Sequence, residues 1–232
     1  DPDTPVLADV LTLGASHLDA SAGLLGTAFG LQMTGVEFAL ALMSARSDAS
    51  RTWTGLKASA ETVSLQGVPG VSASGSQFGI TINRAGRAGD PVADLARSPL
   101  RVATGADGGE IVLDMDGAAG ELLHAQGTLD LSLFGFVQAQ GTVSVDRRSE
   151  SVVLADGSVV DAQLLAIGLQ DAGGHVGIGG VGFDLAGADL GLALLADSAD
   201  ASRTWVSAQA TLGTASLSGI DGLSLSGRDL GL

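Results

Sequence analysis

The chain has 232 residues, and 26 Asp and Glu against 11 Lys and Arg give it a formal net charge of -15 at pH 7. This charge repels phosphate backbones and anionic lipid surfaces, so we expect no nucleic acid partner. The absence of cysteine excludes disulfides and thiol chemistry. The apolar stretch Ala22–Met43 contains Glu37, and a charge inside a lone membrane helix is costly, so we predict no membrane insertion.

Alternation with a period of two recurs along most of the chain and predicts strands with one aliphatic face. The other face carries Ser, Thr, Ala, Gly or Asp, which is typical of half-buried strands. The segments that alternate are Val36–Leu42, Phe78–Asn83, Ile111–Asp116, Leu129–Phe134, Val143–Val145 and Ser216–Ser226. The sequence therefore predicts an all-β fold.

Glycine-containing segments mark the predicted turns between these strands. They are Gly67–Gly70, Ala106–Gly109, Ala155–Gly157 and Asp221–Gly222. One window favours a helix instead: in Asp90–Ala96 a possible N-cap is followed by Pro91.

An internal repeat is the clearest feature of the sequence. Asp48–Trp53 recurs as Asp200–Trp205, an offset of about 152 residues, and residues 26–80 match residues 178–232 without a gap. Upstream, Leu11–Gly14 resembles Leu165–Gly168 once a gap of two residues is allowed. We therefore predict that the two segments adopt the same backbone, with Trp53 and Trp205 in equivalent environments.

The repeat divides the chain into a first β unit, residues 1–160, and a partial second copy, residues 161–232. We predict an elongated, stacked β-solenoid-like repeat, with tandem β-sandwich-like modules as the alternative. The opening residues, 1–5, do not resemble a signal peptide, and the second copy is partial. We therefore expect a mature form or an internal piece of a longer protein.

Several short phrases resemble a known kind of repeat: Phe38–Met43, Leu56–Ala60, Leu133–Val137 and Val153–Gly157. The chain resembles the tandem repeats of giant bacterial surface or secreted proteins of the LEPR-XLL type, although the motif that names them is absent. The resemblance implies an extracellular or cell-surface location and a very long repeat protein. It implies no catalytic residues.

Two segments are weak candidates for calcium. Gly179–Leu185 nearly matches a calcium-binding nonapeptide, but the first copy has Gln32 where the ligand Asp184 would be. Asp114–Gly117 with Glu121 matches only part of a calcium loop. We therefore predict no metal site and no cofactor.

Catalytic patterns are equally weak. His17, His124 and His175 lie far apart with no second ligand at zinc spacing, and the chain has no Gly-x-Ser-x-Gly elbow. A pair of carboxylates brought together by folding would be invisible in the sequence. Trp53 and Trp205 are interpreted as the large core residue of each repeat, with sugar stacking as the alternative.

These patterns predict a structural, non-enzymatic module that forms a stalk, fibre or matrix and associates with neighbouring repeats. The second interpretation is an adhesin or carbohydrate-binding segment with surface glycans as partners. The third is a solenoid enzyme that degrades polysaccharides.

Overall fold

The computed structural model describes residues 5–24, 28–87, 89–105 and 109–231, and in these residues the protein is all-β, as the alternation predicts. Most of the predicted turn at Ala106–Gly109 lies outside the described residues. The strands are β1 (Ala8–Gly23), β2 (Gly30–Ala45), β3 (Asp48–Gln66), β4 (Val71–Ala85), β5 (Leu100–Ala103), β6 (Glu110–Leu113), β7 (Leu122–Leu133), β8 (Val137–Val153), β9 (Val159–Ile178), β10 (Val181–Asp197), β11 (Thr204–Ser218) and β12 (Leu225–Gly231).

Ten of these strands form one antiparallel sheet in the order β1-β2-β3-β4-β7-β8-β9-β10-β11-β12. Apart from the β4–β7 connection, each strand pairs with the next one along the chain because a short turn joins them. That longer connection contains β5 and β6, which form a separate two-stranded sheet. The described residues form no solenoid coil; the repeats follow one another sideways across the sheet.

The two copies of the repeat have the same strand register. Met43 pairs with Trp53 between β2 and β3, and Leu195 pairs with Trp205 between β10 and β11. The β3–β4 and β11–β12 pairs also correspond, as Thr62 with Ser76 and Thr214 with Arg228 show. Strands β2–β4 are therefore equivalent to β10–β12, as the ungapped match predicts, and β1 corresponds to β9 once the two-residue gap is allowed.

The two-residue gap lies in a single hairpin connection. Gly23 pairs with Gly30 in the first copy, and Gly177 pairs with Gly182 in the second. Residues 24–29 join the first pair, whereas residues 178–181 join the second. The shorter connection explains why the match upstream of residue 178 needs a different offset.

A line of β-bulges crosses the sheet at equivalent places in both copies. Left-handed backbone occurs in matched pairs there: His17 with Asp171, Gly35 with Gly187, and Gln77 with Asp229. The line separates a lower half, which contains the β2–β3, β8–β9 and β10–β11 turns, from an upper half, which contains the β3–β4, β7–β8 and β9–β10 turns. A bulge bends a strand and interrupts its alternation, so each bulged strand has two separate periodic segments.

Residues 90–105 and 109–115, which we call the covering segment, cover the front face of the first copy in the lower half. A buried core forms there from Ala39, Ala41, Met43, Ala45, Trp53, Ala85, Leu95, Val102, Leu113 and Met115. Gly55 permits this close contact, since a Cβ there would lie 3.1 Å from Leu95 Cδ1 and 3.2 Å from Met115 Cε.

The helix predicted for Asp90–Ala96 is wrong, because the segment has no helical residues. Its backbone groups bond to the sheet and to the next strand connection instead. The carbonyl oxygen of Ala93 accepts from Asn83 Nδ2 at 2.9 Å, and Leu95 N donates to Met115 O at 2.9 Å. Tertiary hydrogen bonds thus replace those of a first helical turn.

The opposite side of the lower half, the back face, is aliphatic across nine strands. Its two central rows, read strand by strand through directly paired residues, are Leu13, Leu40, Leu56, Ile82, Leu123, Arg147, Leu165, Leu194 and Val206, and Ala15, Phe38, Ala58, Ile80, Ala125, Val145, Ile167, Leu192 and Ala208. None of these side chains is buried. The buried cluster of ten residues described above lies on the front face.

Candidate functional site

A row of polar side chains crosses the upper half of the sheet. Direct strand pairing places Ser72, Ser132, Gln138, His175, Asp184, Ser216 and Ser226 side by side on seven consecutive strands. Part of this row, with Asp130 and Gln140, lines an open depression of about 530 Å³, which we call the polar basin. The basin offers hydroxyl, amide, imidazole and carboxylate groups on a flat strand surface.

The strongest contact in the polar basin joins His175 and Asp184 across β9 and β10. His175 Nδ1 lies 2.7 Å from Asp184 Oδ1. The hydroxyl of Ser218 and the imidazole of His175 both hold the pKa of Asp184 below its usual value. Asp184 therefore lies between Ser218 and His175, whereas in a nucleophilic triad the His must lie between the Ser and the acid.

His124 forms a second cross-strand pair, with its Nδ1 2.6 Å from Asp146 Oδ1. Both histidines were expected to be isolated, because their carboxylate partners are not at ligand spacing in the sequence. Antiparallel pairing brings the partners together, and sequence spacing alone does not show it. His17 is exposed and has left-handed backbone at the bulge line.

Three Asp-x-Ser turns lie at the lower end of the sheet. The Oδ1 atoms of Asp48, Asp156 and Asp200 each accept from the backbone N–H of the serine two residues later, at 3.0 Å. The same serine donates its hydroxyl to the carboxylate, and this bond is the largest cause that lowers the pKa of all three aspartates. These carboxylates stabilise turns through local hydrogen bonds.

The residues considered for calcium are separated in the structure. Gly179 and Gly180 form the β9–β10 turn, while Asp184 lies within β10 and contacts His175. Asp114 pairs with Lys57, and Asp116 accepts from Ala118 N at 2.8 Å. In the described parts of the chain, no cluster of three or more His, Asp or Glu side chains could hold a metal ion.

Trp53 and Trp205 share one contact and differ in another. The guanidinium of Arg51 lies 5.4 Å from the Trp53 ring centre, and that of Arg203 lies 5.3 Å from the Trp205 ring centre. Trp53 is buried beneath the covering segment, but Trp205 is half-buried. The prediction of equivalent environments is therefore correct for register and arginine stacking and wrong for burial.

The structure defines a class of protein: an open antiparallel β sheet with an internal duplication, a front face covered in the first copy, and a polar basin. No family model, no curated protein and no solved structure matches the chain. Across residues 5–24, 28–87, 89–105 and 109–231, no helix has the length and apolar character needed to cross a membrane.

Proposed function

We propose that the chain is a structural tandem-repeat module of a giant extracellular or cell-surface protein, where it contributes to a stalk, fibre or matrix and performs no catalysis. The observation that carries this proposal is the shared register of β1–β4 and β9–β12 within one uninterrupted sheet. A second copy that simply continues the hydrogen-bonded ladder of the first makes neighbouring repeats each other's main partners.

The proposal has a geometric consequence. The sheet strands from β2 to β9 make up one period, so each added repeat brings β2, β3, β4, β7, β8 and β9 equivalents. At roughly 4.8 Å per strand, a repeat lengthens the sheet by about 29 Å. Length along the sheet then scales with repeat number, which is the property a stalk or fibre needs.

Small-angle scattering on a chain lengthened by one repeat tests whether length along the sheet scales with repeat number. A second copy of residues 30–181 inserted directly after Val181 preserves the register of both flanking hairpins. We expect the maximum dimension of the lengthened protein to increase as the addition of one repeat to the same sheet requires. Circular dichroism should show the same β content per residue as before. A Gly/Ser insert of equal length is the matched control and adds a flexible loop. If the repeat insert scatters like that control, or unfolds separately from the rest, the module proposal is wrong.

The polar basin favours a second candidate, binding of a neutral polysaccharide. Adjacent strands place its amide, hydroxyl and carboxylate groups at about 4.8 Å intervals, which is close to the length of a sugar unit in an extended chain. A protein with net charge -15 repels anionic glycans, so a neutral chain fits better.

Cellohexaose and mannohexaose are suitable probes for this second candidate. We expect the protein to bind these probes, and we expect Gln138→Ala and His175→Ala to weaken the binding. Gln209 is exposed on β11 outside the basin, so Gln209→Ala should leave the binding unchanged. Equal effects of all three changes, or no binding of either probe, would exclude the polar basin as a site for neutral sugars of these types.

A further inference from the structure

The back face combines exposed aliphatic surface with two arginines. Arg147 lies in a central row between Leu123 and Leu165, its paired residues on either side. Arg84 pairs with Thr54 in the adjoining row and lies on the same face, opposite the buried Trp53. In the described part of the chain, neither arginine forms an ion pair or a hydrogen bond.

The size of this face indicates a contact surface. Nine strands at about 4.8 Å spacing and two rows of alternating residues span on the order of 500 Å². The largest apolar patch on a monomer is about 300–600 Å² and often functional. Leu13, Val206 and Leu190, near the two ends of the face, are 57%, 69% and 40% exposed, and the side chains of the central strands between them are partly exposed.

The arginines restrict what can cover this face. An apolar layer laid over Arg84 and Arg147 would remove both guanidinium groups from water, and an unpaired buried charge is strongly unfavourable. The two central rows contain no carboxylate, so a second copy that laid its own central rows on these would provide no anion for Arg147. An anionic lipid surface would be repelled by the net charge of -15 of the whole chain.

We propose that the back face docks a partner protein segment that presents aliphatic side chains together with carboxylates, which pair with Arg84 and Arg147. The chain's own front face shows the same combination on a small scale. There the covering segment places aliphatic side chains on the sheet, and Asp114 of this segment pairs with Lys57 of β3.

Peptide binding tests the proposal on the full chain. The probes are two labelled 18-residue amphipathic peptides with identical leucines, one with glutamate and one with lysine at every charged position. The net charge of -15 alone favours the lysine peptide. We expect the glutamate peptide to bind at least about tenfold more tightly by fluorescence anisotropy, because the local arginines decide the contact.

Variants test whether the peptides bind to the back face. The double change Arg84→Gln with Arg147→Gln should abolish the preference for glutamate, and Arg101→Gln on β5, outside the back face, should not change it. Circular dichroism checks that the variants remain folded. A second variant, Ile82→Asn, should weaken both peptides by removing aliphatic contact from the same row.

Three results would overturn the proposal. The lysine peptide could bind as tightly as the glutamate peptide, or the double arginine variant could keep the preference. Sedimentation could instead show a dimer that excludes the glutamate peptide, which would assign the face to a second copy. Binding of neutral phosphatidylcholine vesicles with no binding of either peptide would assign it to a lipid surface.

Discussion

Trp53 donates its indole Nε1–H to the carbonyl oxygen of Pro91 at 2.9 Å, which fastens the covering segment to the front face. The bond satisfies the one polar atom of a side chain that is otherwise buried in the core. The equivalent Trp205 pairs with Leu195, which corresponds to the Met43 partner of Trp53, and it stacks with the equivalent arginine. None of the described residues covers Trp205 as the covering segment covers Trp53.

The two tryptophans should therefore contribute unequally to the free energy of unfolding. We expect Trp53→Ala to lower the free energy of unfolding by about 3–5 kcal/mol, the usual cost of deleting a buried aromatic ring. Trp205→Ala should cost roughly half of that or less, because the ring is already partly hydrated. Urea unfolding monitored by circular dichroism measures both, and equal costs would contradict the observed difference in burial.

Arg203 and Arg51 stack on equivalent rings, but of these two arginines only Arg203 forms an ion pair with a described residue. Arg203 Nη1 lies 3.0 Å from Oδ2 of Asp197, whose side chain is only 6% exposed, whereas the first copy has Ala45 at the position of Asp197. Arg203→Gln should therefore cost about 1–3 kcal/mol by leaving a buried carboxylate unpaired. Arg51→Gln should cost less than about 1 kcal/mol.

The double variant Asp197→Ala with Arg203→Gln provides the control for this pair. It removes the buried carboxylate together with its arginine partner, so no unpaired charge is left behind, and we expect it to recover most of the stability that Arg203→Gln loses. If the double variant is no more stable than the single one in urea unfolding, the carboxylate does not depend on Arg203.

Local patterns predicted the all-β fold and the equivalence of the two copies, because alternation and glycine positions are properties of neighbouring residues. The line of bulges was not predicted. His17, Gln77 and Asp171 are not glycines, and nothing in their sequence marks the left-handed backbone they adopt. The polar basin was also missed, since Gln138 and Asp184 flank His175 only through the register of β8, β9 and β10, which sequence spacing does not show.

The Asp-x-Ser turns predict how the chain responds to acid. Asp48, Asp156 and Asp200 have pKa values below the usual range because their serines hydrogen-bond the ionised form. Each carboxylate therefore contributes stability that is present above its unfolded pKa, about 3.9, and is lost as the pH falls through its lower folded value. Acid destabilisation from these turns should begin only below about pH 4.

A carbon-13 titration of the aspartate carboxyl groups measures this directly. Ser158→Ala should raise the pKa of Asp156 toward the usual value and leave those of Asp48 and Asp200 unchanged, because the three turns are separate hairpins. An Asp156 pKa that is the same with and without Ser158 would show that its lowering has another cause.

Glycines at equivalent turns should resist substitution, while a glycine within a strand should tolerate it. Gly67 has φ +78°, and an added Cβ would collide with the backbone of Ala28; its equivalent Gly219 has φ +82° and would collide with Gly180. Since backbone atoms cannot move aside as a flexible side chain can, Gly67→Ala should cost about 2–4 kcal/mol.

Gly191 is the matched control for these turns. It lies inside β10, an added Cβ would meet nothing within 4 Å, and the first copy carries Ala39 at the equivalent position. Gly191→Ala should raise the free energy of unfolding by about 0.4–1 kcal/mol, because alanine reduces the freedom of the unfolded chain without strain in the folded one. Urea unfolding of both variants checks the pair of expectations. A stabilising Gly67→Ala would contradict the left-handed turn, and a destabilising Gly191→Ala would show that the second copy requires glycine where the first accepts a side chain.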